Sequence, residues 1–136
     1  MSFQAVGSGL SIVACSTCRL SPEQRGEGDG RGGGALFGQI LRAMRDRDPR
    51  YAGIDVQAMP CLFACGEPVA VHLRAAGKFS YVLGRFAPDE ESARAILDYA
   101  LLYADSDLGS VRYAEWPQGV KGHFLTRSPP EGHVLP

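Results

Sequence analysis

Leu10-Ser11-Ile12-Val13-Ala14-Cys15-Ser16-Thr17-Cys18 runs from a short apolar stretch straight into a C-x2-C turn. Leu10 to Ala14 reads as a strand, a brief apolar run bounded by turn-forming residues. Leu20 to Gly34 follows, rich in charge and in glycine, and reads as a mobile loop. Ala35 to Asp48 places Leu36, Phe37, Ile40, Leu41 and Met44 on one stripe and Gln39, Arg42, Arg45 and Asp46 on the other. That is the pattern of an amphipathic helix, which Asp48-Pro49 ends. Ile54 to Ala58 is a second strand, and Met59-Pro60-Cys61-Leu62-Phe63-Ala64-Cys65-Gly66 a compact loop. The order strand, helix, strand requires a crossover between parallel strands, and parallel strands end at the same edge of a sheet. Cys15 and Cys18 follow the first strand; Cys61 and Cys65 follow the second. The topology therefore brings the two pairs together although 42 residues separate Cys18 from Cys61. Open α/β sheets place ligands at such an edge.

Downstream, Pro68 to Arg74 reads as a third strand with Val69, Val71 and Leu73 on one face. A turn at Ala75-Ala76-Gly77-Lys78 makes it a hairpin with a fourth strand, Phe79 to Arg85, where Phe79, Tyr81 and Leu83 alternate. Pro88 to Ala104 is a second helix, with Pro88 in its first turn and Asp89, Glu90 and Glu91 at its positive end. Its buried stripe is Ala93, Ile96, Leu97, Ala100, Leu101 and Ala104. Residues 105–136, with Trp116-Pro117 and Ser128-Pro129-Pro130, read as an extended tail packed on the domain or on a partner. The expected fold is one α/β domain over residues 1–136, a mixed four-stranded sheet in the order β-α-β-β-β-α.

A chain of 136 residues can bury a core without disulfide staples. It is 45% hydrophobic and 21% charged with a net charge of −1, so no basic excess points to nucleic acid. No stretch approaches the ~20 apolar residues that span a bilayer. No positive charge precedes Leu10 to Ala14, which argues against a signal peptide. Ile12-Val13-Ala14-Cys15 loosely matches a lipoprotein cleavage box but lacks the charged leader. A cytoplasmic location is expected. In a reducing compartment, four cysteines in two close pairs suggest metal or redox chemistry rather than structural disulfides.

Thiolate is the soft ligand of zinc and of iron–sulfur clusters, and four cysteines supply every protein ligand of either. The C-x2-C and C-x3-C spacings let each pair grip a metal from one short turn. Cys65 beside Phe63 also suits plain core packing. A C-x-x-C after a first strand suits dithiol chemistry at Cys15 and Cys18, but the long glycine-rich loop keeps a helix N-terminus from following Cys15 directly. Those glycines lack the Lys-Ser/Thr pair of a phosphate loop. His72 reads as a surface histidine; His123 and His133 lie in the tail. Tyr113, Trp116 and Phe124 read as packing anchors. No nucleophile–histidine–acid set is present, so hydrolysis is not expected.

Cys15-Ser16-Thr17-Cys18-Arg19, Met59-Pro60-Cys61-Leu62-Phe63-Ala64-Cys65, Ala70-Val71 and Gly77-Lys78-Phe79-Ser80-Tyr81-Val82-Leu83-Gly84 carry a family likeness, as do Val120-Lys121-Gly122 and Arg127-Ser128-Pro129-Pro130. Across nearly its whole length the chain resembles a bacterial family of small predicted metal-binding proteins related to thioredoxin-like 2Fe–2S ferredoxins. The resemblance implies a thioredoxin-like fold and a 2Fe–2S cluster near the surface, held by Cys15, Cys18, Cys61 and Cys65. It implies an electron carrier rather than an enzyme, supplying cobalt or cobalamin chemistry, because members accompany genes for cobalamin biosynthesis. Better-known thioredoxin-like ferredoxins space their first two ligands more widely than Cys15 and Cys18. The expected partners are a redox protein and a second copy of the chain, without nucleic acid or membrane. The readings left beside it are a zinc or cobalt module, structural or for delivery, and a dithiol oxidoreductase.

Overall fold

The computed structural model describes residues 2–19 and 32–136, so the loop expected to be mobile lies outside the described residues except for Gly32, Gly33 and Gly34. The elements in chain order are β1 (Ser11–Cys15), α1 (Gly33–Arg47), β2 (Asp55–Met59), β3 (Val71–Arg74), β4 (Ser80–Leu83), α2 (Glu90–Asp105) and β5 (Phe124–Ser128). They form a five-stranded sheet in the order β2-β1-β3-β4-β5, rather than the four strands expected. β1 runs parallel to β2 and antiparallel to β3, and β3, β4 and β5 continue antiparallel. The crossover through α1 is therefore present, and β1 and β2 are direct neighbours.

All five residues of β1 are buried, which suits a strand with neighbours on both sides. Ile12, Val71, Leu73, Tyr81 and Leu83 form one face of the sheet and pack into a core with Phe37, Leu41 and Met44 of α1 and Ile96, Leu97 and Ala100 of α2. Within α1, Leu36 turns outward and Gly38 takes a buried place, because a Cβ there would lie 3.3 Å from that of Ala14. Pro88 lies just outside α2. The cap is Asp89, whose carboxylate accepts from the Ser92 N–H at 2.8 Å. The hairpin turns at Gly77, φ +77°, and Lys78 Nζ donates to the Ser106 carbonyl at the negative end of α2. Arg42 and Arg45, expected to face water, donate to the outward carbonyls of Val56 (3.4 Å) and Ile54 (2.9 Å) along the free side of β2.

The tail packs on the domain, one of the two placements expected, and its end adds the unexpected fifth strand. Val120 is fully buried, Gly119 abuts Ala95, and Phe124 stacks against Trp116 at 4.6 Å and meets Tyr81 edge-on at 5.3 Å before β5 pairs with β4. Trp116 and Phe124 thus act as the packing anchors expected of them. None of the helices among the described residues is long and apolar enough to cross a membrane.

His72 is half-buried on β3 between Val13 and Val82 rather than lying free on the surface. Burial pushes its pKa below the ordinary 6.5, and the Arg74 charge adds to the shift. The folded state then prefers the neutral ring, so as pH falls the unfolded chain takes the proton first. Stability is expected to be whole above pH 6.5 and to fall as pH drops through the depressed folded value. Urea midpoints on both sides of pH 6.5 check this: His72→Gln should flatten the acid-side decline, and an unchanged slope would remove His72 as its source.

Candidate metal centre

The parallel register pairs Cys15 with Met59, so β1 and β2 end level and Cys61 lies two residues past that line. β3 runs the other way, and the chain from Met59 to Val71 must return to the same edge. Two hydrogen bonds fix the meeting point: Cys15 N–H donates to the Ala70 carbonyl and Ser16 N–H to that of Met59, each at 3.0 Å. Cys15, Cys18 and Ala70 form a small buried cluster covered by Leu62 and Ala64. A cleft of about 30 Å³ beside it is lined by Cys15, Cys18 and Cys65 with Thr17, Arg19, Ala64 and Pro68. Cys61 joins through Cys65, their Sγ atoms 3.9 Å apart. All four cysteines are free thiols: Cys15 and Cys18 buried, Cys61 half-buried, Cys65 exposed.

Backbone N–H groups converge on three of the sulfurs. Ala70 donates to Cys18 Sγ at 3.5 Å and Phe63 to Cys61 Sγ at 3.4 Å. The amides of Leu62, from the second cysteine loop, and Thr17 favour the thiolate form of Cys15. Cys61, Phe63 and Val69 hold φ of +62°, +62° and +59°. That region disfavours side chains with a Cβ, most of all a branched one, and costs on the order of 1–3 kcal/mol per residue. Such strain collects where a loop is shaped for a site. Arg85, itself at φ +62°, locks the far end of the loop, its N–H on the Pro68 carbonyl at 2.7 Å and its side chain paired with Glu67 at 2.7 Å.

The N-terminus of α1 also reaches this edge, which the intervening loop had argued against. Gly34 N–H donates to the Cys18 carbonyl at 3.2 Å. A Cβ on Gly34 would lie 1.9 Å from the Cys15 carbonyl oxygen and 2.8 Å from Cys18 Cβ. Among the described residues no side chain caps this helix end, and no acid stands in its first turn. Cys15 is held down at about 5, chiefly by the hydrogen bond from the Cys18 thiol and further by the Leu62 and Thr17 amides. The same contact, with burial, pushes Cys18 up. Cys65 is raised by its contact with Cys61.

Sequence reasoning did not identify Gly34, Val69 or Ala70 as part of this site. The glycines just before α1 were a usable signal for Gly34; a valine at positive φ gives none. Among the described residues no three His, Cys, Asp or Glu side chains converge on the position of a single ion. The donor set is four free thiols, soft throughout. Cys15, Cys18, Cys61 and Cys65 fit a thiolate-ligated centre.

The chain has a thioredoxin-like fold with a cysteine-lined cleft at one sheet edge. By a match over residues 12–130, the chain belongs to the family described as "Protein of unknown function (DUF1636)". Its fold is similar to that of a thioredoxin-like 2Fe-2S ferredoxin from Aquifex aeolicus, with a TM-score of 0.55 and 16% identity over 94% of this chain and 100% of that one. No curated protein matches the chain.

Proposed function

We propose that this chain is an electron carrier whose Cys15, Cys18, Cys61 and Cys65 hold a 2Fe–2S cluster. The observation that carries this reading is the set of backbone N–H groups aimed at Cys15, Cys18 and Cys61 where two sheet-edge loops meet. When bound, such a cluster supplies one-electron transfer. The amides of Thr17, Leu62, Phe63 and Ala70 stabilise negative charge on the sulfurs and so set the potential. Half-buried Cys61 and exposed Cys65 give a redox partner its approach. The family resemblance adds cobalt or cobalamin chemistry as the process served.

The burial of Cys15, 3% exposed, weighs against dithiol catalysis, because an attacking thiolate must reach a substrate disulfide. Anaerobic preparation with ample iron and sulfide is expected to give a red-brown protein with about two irons and two sulfides per chain. A colourless protein carrying one zinc would replace this reading with the zinc module.

A further inference from the structure

A second concave site lies along β5, at the sheet margin opposite β2. Its volume is about 380 Å³, within the range of small-molecule pockets. Tyr81, Tyr99, Trp116 and Phe124 form its floor, with Thr126 and Arg127 on its rim. The floor is fixed rather than loose: Phe124 meets Tyr81 and Tyr99 each at 5.3 Å, and Trp116 Nε1 is committed to the Val111 carbonyl at 2.9 Å. Arg127 is held in place too. Its guanidinium lies 4.4 Å from the centre of the Phe79 ring. Among the described residues, no carboxylate lies within ion-pair distance of Arg127, unlike Arg45, Arg47, Arg50, Arg85 and Arg112. A cation with no ion-pair partner among the described residues, beside the partly exposed rings of Trp116 and Phe124, is complementary to a flat apolar body bearing an anion.

We propose that this cavity binds a small aromatic carboxylate, its ring on the floor of Trp116 and Phe124 and its carboxylate on Arg127. This site is independent of the cysteine centre.

Trp116 is the single tryptophan, so one indole N–H resonance reports on the cavity. Benzoate titrated into the full chain is expected to shift that resonance saturably with a Kd of about 1 mM or tighter. Benzamide, of the same shape but neutral, should bind about tenfold more weakly, and acetate should not move the resonance. Arg127→Gln should weaken benzoate about tenfold and abolish its advantage over benzamide, leaving the indole resonance of the free protein in place as evidence of an intact floor. Trp116 is lost as a reporter in Trp116→Leu, so there the benzoate signal itself is followed, and its line broadening should vanish. Failure of benzoate to saturate would overturn the proposal. Equal binding of benzoate and benzamide would do the same, leaving an apolar groove without ion recognition.

Discussion

Alanine in place of Gly34 is expected to destabilise the fold by about 3 kcal/mol and to remove most of the iron that the proposed centre would hold. The added methyl would stand 1.9 Å from the backbone oxygen of Cys15, which no side-chain rotation can relieve. Either α1 withdraws or the Cys15–Cys18 turn opens. Withdrawal breaks the Gly34-to-Cys18 hydrogen bond and loosens the core under Phe37; opening the turn moves two ligands. Both routes cost metal as well as stability, because a preformed site and the fold support each other. Gly53→Ala is the control, since nothing lies within 4 Å of its Cβ position. Iron and sulfide content, with urea midpoints, would be measured on both variants and the wild type. Full metal content and stability in Gly34→Ala would show that α1 does not approach the cysteine turn as described.

Serine replacements at Cys15, Cys18, Cys61 and Cys65 are expected to lower bound iron to a similar degree, about tenfold or more each. The parallel pairing of β1 with β2 and the return of the chain into β3 bring both pairs to one edge, and Cys65 of one loop lines the same cleft as Cys15 and Cys18 of the other. A centre shared in this way cannot lose one ligand and stay intact. In a dithiol enzyme the outcome differs: Cys15 and Cys18 would be essential, and Cys61 and Cys65 would matter little. Undiminished iron in Cys61→Ser and Cys65→Ser, beside loss in the other two, would refute the four-ligand centre.

Much of this architecture was legible in the sequence because the relevant signals are local. The apolar run of β1, the stripe of α1 and the alternation of Phe79, Tyr81 and Leu83 each declare their element, and a strand–helix–strand order restricts the crossover to one geometry. β5 was hidden for a physical reason. Phe124 to Ser128 pairs with a strand some forty residues earlier, with no hairpin turn between them, and its outer residues are polar. Gly34 was read as part of a flexible stretch, whereas its value lies in a close approach that only the folded chain creates. Arg42 and Arg45 look like ordinary solvated charge until β2 is placed beside them. The strain at Val69 arises from the tight return between Cys65 and β3 and leaves no mark on residue choice.

The two arginines on α1 have a further effect. By occupying the outward carbonyls of Ile54 and Val56 they close one margin of the sheet to any added strand, while among the described residues β5 has a neighbour on one side only. Fibre growth by strand addition needs two open margins on every copy, one to give and one to receive. Among the described residues this chain presents one, at β5, so strand addition there cannot propagate from copy to copy.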